Sequence, residues 1–232
     1  MWDMFNTSEF WVALGQIIIV NIMLSGDNAV VIALASRSLP PHQQRKAIIF
    51  GSVGAIVLRV ILTFFAVLLL KLPFLKLAGG AALLWIGAGL LASDDDEGDL
   101  QAHSNLGAAI RTIIVADFIM SLDNVLGVAA AAKGNMVLLV LGLAISIPLI
   151  IYGSKLILGL MGRFPIIITL GAALLGWVAG EMLVDDSSVS GWINSQAHFL
   201  HLAIPVLCTV GVVVVGKWMD ARNRRQPDAA AA

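Results

Sequence analysis

Residues 21–36 read NIMLSGDNAVVIALAS, and residues 117–132 read DFIMSLDNVLGVAAAA. At an offset of 96, Ser25 meets Ser121, Asp27 meets Asp123, Asn28 meets Asn124 and Asn21 meets Asp117. Two apolar helices share Leu, Ala and Gly by chance. They do not readily share S-x-D-N at the same helical depth. A second match supports the first: KLPFLKLAGGAALLWIGAGLL (71–91) resembles RFPIIITLGAALLGWVAGEML (163–183) at an offset of 92. It pairs Pro73 with Pro165, Gly79 with Gly171 and Trp85 with Trp177. A small difference in loop length accounts for the change of offset. The chain therefore reads as two copies of one unit.

Hydropathy says what kind of unit. Of the 232 residues, 59% are hydrophobic and 12% charged, and the mean hydropathy is +0.94. An ordinary soluble domain carries about 25% charged residues. A soluble enzyme and a disordered chain are therefore poor readings. The net charge of −1 and the lack of a basic stripe argue against nucleic acid. A membrane-spanning helix needs about 20 mostly apolar residues. Seven segments qualify: 10–36, 47–70, 74–92, 107–132, 135–158, 165–184 and 199–219. Runs this long and continuous must be helical in lipid, where the backbone satisfies its own polar groups. The expected fold is an all-α membrane protein of seven transmembrane helices forming one domain. Repeat 1 covers 10–92, an acidic cytosolic loop 93–106, repeat 2 107–186, helix seven 199–219 and an unstructured polar tail 220–232. Three spans per copy invert the second copy, an arrangement typical of transporters.

The leader MWDMFNTSEF carries Asp3 and Glu9 and no Lys or Arg, the wrong charge for a cleaved signal peptide. With the N-terminus outside, ten Lys and Arg fall inside and three outside, leaving Arg59 within a helix. The positive-inside rule then gives N-out and C-in.

Four acids fall inside expected spans: Asp27, Asp117, Asp123 and Glu181. At roughly 2.5–3.5 kcal/mol each on insertion scales, they need compensation from water, protonation, Arg59 or a bound cation. Asn21, Ser25 and Asn28 form one helical stripe, and Asp117, Ser121 and Asn124 repeat it. Asp27 and Asp123 are turned about 100° from their neighbouring Asn on a straight helix. An unwound turn at Ser25-Gly26 would swing Asp27 onto the stripe; Leu122 replaces that glycine in the second copy. The donors are all oxygens, which suits a hard divalent ion such as Mn²⁺, Mg²⁺ or Ca²⁺. Asn and Ser also simply hydrogen-bond between helices. Paired buried acids are harder to explain without a cation. Arg59 and Glu181 break the repeat, aligning with Ile151 and Gly89, and are expected to pair.

The motifs at 21–35 and 117–132 resemble those of the TerC family of integral membrane proteins, in particular its small, YjbE-like members, with similarity from about residue 8 to 220. The resemblance implies a part in manganese export and metal homeostasis, and more loosely in tellurite resistance. It implies that Asp27, Asn28, Asp123 and Asn124 form the core metal site. Around them, Asn21, Asp117, Ser25, Ser121 and Glu181 complete the candidate set. The expectation is a secondary exporter rather than an enzyme, with no resident cofactor and Mn²⁺ as cargo. Its partners are the lipid bilayer, a coupling proton or sodium ion, and in one arrangement further copies of the chain. The chain has no G-x-x-x-x-G-K-[ST] motif for direct ATP coupling. Two alternatives come from other classes. An intramembrane aspartyl hydrolase would use both Asp residues, although Leu24 breaks the G-x-G-D pattern of such proteases. A non-transporting stress or metal-homeostasis scaffold would tolerate loss of both.

Lesser features have blander readings. SDDDEGDLQAHSN (93–105) fails the EF-hand pattern and reads as a solvated loop or a weak cation collector. His198 and His201 read as interfacial packing, Asp185 and Asp186 as the lining of an exit, and Trp85 and Trp177 as equivalent packing places. Cys208, the one cysteine, reads as a small buried hydrophobe.

Overall fold

The computed structural model describes residues 8–23, 26–69, 72–92, 105–132 and 136–230. They form the helices α1 (Ser8–Met23), α2 (Gly26–Ser36), α3 (Pro41–Leu69), α4 (Leu75–Ala92), α5 (Leu106–Ala132), α6 (Met136–Arg163), α7 (Ile166–Val184), α8 (Ser190–Gln196) and α9 (Leu200–Ala230). Five stretches are long and apolar enough to cross a membrane: Pro41–Phe65, Leu75–Ala92, Val140–Arg163, Ile166–Val184 and Leu200–Asn223. Within the expected first span, 10–36, the described residues form two apolar helices, α1 and α2. Residues 24 and 25 between them, and the acidic loop at 93–104, lie outside the described residues. The 27-residue α5 carries the second motif and is about 40 Å long at the α-helical rise. The tail at 220–232 was expected to be unstructured, but α9 continues through it to Ala230.

Large apolar side chains cover the outside. Phe64, Phe65, Trp85, Leu207 and Val214 are all more than half exposed. On a soluble protein such a surface would be an aggregation hazard; in a bilayer it faces its proper solvent. Two apolar clusters fill the interior. One gathers Ile17 of α1, Ile48 and Ile56 of α3, Ile113 of α5 and Leu143 of α6. The other gathers Leu83 of α4, Ile119 and Met120 of α5, and Leu175 and Met182 of α7. Helix α2 lies between them, giving Ile32 and Ala35 to the first and Val31 and Leu34 to the second. That explains why its apolar residues run all round the helix rather than along one stripe.

Helix α3 packs along α5, and α6 packs along α1 and α2. Helix α3 also meets α6, while α4 meets α7, and α9 lies against both α4 and α7. Glycines set the closest approaches. A Cβ on Gly51 would stand 2.7 Å from Cδ1 of Ile113, and one on Gly142 would overlap the side chain of Ile17. Gly176 and Gly180 of α7 are pressed against the α9 backbone at Thr209 and Pro205. Close helix approach of this kind is how small residues stabilise packing in lipid.

A long-range cap fixes the start of α4. Buried Asp186, in the turn after α7, accepts hydrogen bonds from the amides of Phe74 (3.2 Å), Lys76 (3.1 Å), Leu77 (3.2 Å) and Ser188 (2.9 Å). Phe74 adopts a left-handed φ of 64°, uncommon for a bulky residue, and its N–H is aimed into this cap. Asp186 was expected to line an exit; its oxygens are instead committed to backbone amides.

Candidate functional site

The polar centre is built where α3 lies along α5. Asp117 and Ser121 are one turn apart on α5, so both face the same neighbour. That neighbour is Arg59, near the middle of α3. Its Nη2 donates to Asp117 Oδ1 at 2.5 Å, and its Nε donates to Ser121 Oγ at 2.9 Å. The Ser121 hydroxyl donates to the second carboxylate oxygen of Asp117 at 3.1 Å. Arg59 is 1% exposed, Asp117 5% and Ser121 0%. Thr63, one turn further along α3, donates its hydroxyl to the Arg59 carbonyl at 2.7 Å. A buried ion pair survives in apolar surroundings when its remaining polar atoms are also bonded; here both Asp117 oxygens, the Ser121 hydroxyl, and Nε and Nη2 of Arg59 are bonded.

Asp27 stands half-buried in the first turn of α2. Its Oδ1 accepts the Asn28 amide at 2.7 Å, and the Asn28 side chain is buried. Among the described residues no three His, Cys, Asp or Glu side chains converge on a metal position. The side chains of Asn21, Asp123 and Asn124, and all of Ser25, lie outside the described residues.

Arg59 was expected to pair with Glu181, and that expectation is corrected: its partner is Asp117. Helix α3 packs along α5, and Glu181 is exposed on α7, where it accepts the Trp177 indole N–H at 2.8 Å. Trp85 and Trp177 are not equivalent either. Trp85 is 75% exposed, whereas Trp177 is half-buried and bonded to Glu181. His201 meets Asn194 at 2.7 Å and stacks loosely with His198, in keeping with packing at the edge of the membrane. Sequence reasoning missed the Arg59–Asp117–Ser121 triad. The spacing of Asp117 and Ser121 showed one polar face, but only packing shows which helix it meets.

A second feature was also missed. Between α2 and α6 lies a cavity of about 230 Å³, lined by residues that include Gly26, Ala29, Ser146, Ile150 and Gly153. Its walls are mostly apolar. The Ser146 hydroxyl is turned to the Gly142 carbonyl at 2.9 Å.

Lipid-facing apolar helices around a buried charged centre define a multi-pass integral membrane protein. The chain belongs to the TerC family: the model of the Integral membrane protein TerC family matches residues 6–224. It is 43% identical over 207 residues to the uncharacterized membrane protein YjbE of Bacillus subtilis, covering 89% of this chain and 94% of that one. The uncharacterized membrane protein YceF of the same organism is 26% identical over 193 residues, 78% of this chain and 75% of its own. The UPF0053 inner membrane protein YgdQ of Escherichia coli is 24% identical over 218 residues, 85% and 91%. No solved structure matches significantly.

Proposed function

We propose that the protein is a secondary transporter that exports a divalent metal cation, with Mn²⁺ as cargo, across a bacterial cytoplasmic membrane. The observation that carries this reading is the Arg59–Asp117 pair buried among lipid-facing helices, with a further acid, Asp27, in the first turn of α2. Arg59 already matches Asp117, so Asp27, a further acid within the apolar helices, is the one in excess. A bound cation offsets that excess, and when the cation leaves, a proton or sodium ion serves the same role. Asp27 and Asn28, with Asp123 and Asn124 from the second motif, supply hard oxygen donors for such an ion.

Matching contacts support two inverted copies around this site. Ile17 seats on Gly142 as Ile113 seats on Gly51, residues 96 and 91 apart in the two halves. Thr63 bonds the Arg59 carbonyl as Ser154 bonds the Ile150 carbonyl, again 91 apart. By these contacts Arg59 corresponds to Ile150, one residue before the Ile151 of the sequence alignment. Exchanging the halves also exchanges the α3–α5 packing with that of α6 on α1 and α2. The Lys and Arg distribution favours N-out and C-in.

The test is Mn²⁺ flux into proteoliposomes by wild type, Asp27→Asn and Asp123→Asn, with melting curves to check folding. Each variant keeps size and oxygen but loses a charge, so flux should fall at least about tenfold. Metal affinity should also fall with pH, because protons compete for the same carboxylates. Two well-folded Asn variants carrying Mn²⁺ at the wild-type rate would overturn the reading.

A further inference from the structure

The cavity between α2 and α6 follows the length of a helix long and apolar enough to cross the membrane. Ser146, Leu149, Ile150, Gly153, Leu156 and Ile157 recur at helical spacing, so they form one face of α6. Together they extend about 16 Å at the α-helical rise. The apolar stretch Val140–Arg163 leaves six residues before Ser146 and six after Ile157, which centres the cavity in the stretch. Half of a hydrocarbon core is about 15 Å thick, so headgroups lie beyond both ends of the cavity and only acyl chains reach its middle. No charged side chain lines it, and the Ser146 hydroxyl is spent on the Gly142 carbonyl at 2.9 Å. Gly26 and Ala29 of α2 make the opposite wall. The mouth lies at exposed Leu149 and Leu156, so the cavity is continuous with the lipid-facing surface of the protein.

We propose that this cavity is a seat for the end of one phospholipid acyl chain, held between α2 and α6. A tail already in the bilayer gains nothing by leaving water. What it gains here is contact on two walls, and the lining gains the partner atoms that a void would deny it. The seat reads the tail and ignores the headgroup. It also makes a membrane lipid a packing partner of the first turn of α2, where Gly26 has open space around its Cβ position. Such a seat needs only a bilayer around the chain, so it stands or falls apart from transport.

For the test, wild type is reconstituted with phosphatidylcholine carrying a photoactivatable diazirine at the end of one acyl chain. It is then washed into detergent and illuminated, and the adducts are mapped by mass spectrometry. Adducts on cavity residues should outlast the wash at least about fivefold over those on Leu207 and Val214, which lie exposed near the middle of the apolar stretch of α9. Phosphatidylglycerol with the same tail should label the cavity equally, and a diazirine beside the glycerol should not label it. Gly153→Leu should abolish the cavity adducts, because a Cβ at Gly153 meets the Cβ of Ala29 at 3.6 Å and the added branch fills the seat. The wild-type comparisons decide the matter should Gly153→Leu not fold. Ile150→Cys in a Cys208→Ala background should resist a charged methanethiosulfonate in vesicles. Cavity adducts lost together with those on α9, a yield set by the headgroup, labelling by the glycerol-end probe, or unchanged adducts in a folded Gly153→Leu would each overturn the proposal. Rapid attachment of the charged reagent to Ile150→Cys would do the same, since water and not lipid would then fill the cavity.

Discussion

Removing the Asp186 carboxylate should loosen the start of α4, although the two lie 110 residues apart in the chain. A lost N-cap costs about 1 kcal/mol. This carboxylate also holds the amides of Phe74 and Ser188, and hydrogen bonds to a charged acceptor contribute about 1.5 kcal/mol or more each. Phe74 and Ser188 are exposed, so their amides recover part of that from water. Asp186→Ala should therefore cost about 3 kcal/mol, and Asp186→Asn, which keeps one acceptor oxygen, about 2 kcal/mol. Burial by itself pushes the carboxyl's pKa up, but hydrogen bonds from Ser188, Leu77 and Phe74 outweigh it and hold it below its ordinary value. A folded-state value below the unfolded one gives stability that is full above about pH 4 and is lost as pH falls through the folded value. Wild type should weaken below about pH 4 by this term, and Asp186→Asn should not show it. The assay is hydrogen exchange at the Lys76 and Leu77 amides, which should quicken about 100-fold in Asp186→Ala, alongside melting curves. Exchange and melting at wild-type values in a folded Asp186→Ala would refute the cap.

The buried pair makes a sharper demand than its Glu181 rival. Arg59→Leu should destabilise by about 3–5 kcal/mol by leaving Asp117 uncompensated. Arg59→Leu/Asp117→Leu should recover most of that loss in a double-mutant cycle of melting free energies, while Glu181→Leu should recover none. Gly51→Ala and Gly142→Ala should each cost about 1–3 kcal/mol by overpacking Ile113 and Ile17. Gly159→Ala on α6, with open space at its Cβ, should be neutral or stabilise by up to about 1 kcal/mol in the same melts.

Much of the helix layout was legible because polar or proline residues bound the apolar runs. The expected 74–92 and 165–184 became Leu75–Ala92 and Ile166–Val184. The stretch 10–36 is described as α1 and α2, and the expected unwound turn at Ser25-Gly26 falls partly outside the described residues. Asp117 and Ser121 were legible as a pair through their one-turn spacing. Their partner was not, since Arg59 on α3 and Glu181 on α7 look alike as isolated charges in a sequence. Only the packing of α3 along α5 decides between them. Asp186 was illegible for the same reason: an acid after a helix looks like solvent-facing polarity until the distant amides that it caps are placed around it.

Helix α9 has consequences for how the molecule is made. It follows α4 and α7 in the chain, so both are synthesised before the backbone that presses on Gly176 and Gly180 exists. Until α9 emerges from the ribosome, α7 presents those two glycines without their backbone partner. A helix with that face bare has little side-chain surface to hold against lipid and accepts a close neighbour readily. Newly made chains stalled before residue 200 should therefore be the form most open to a membrane chaperone, or to wrong pairing with a second nascent copy. Completion of α9 closes that window.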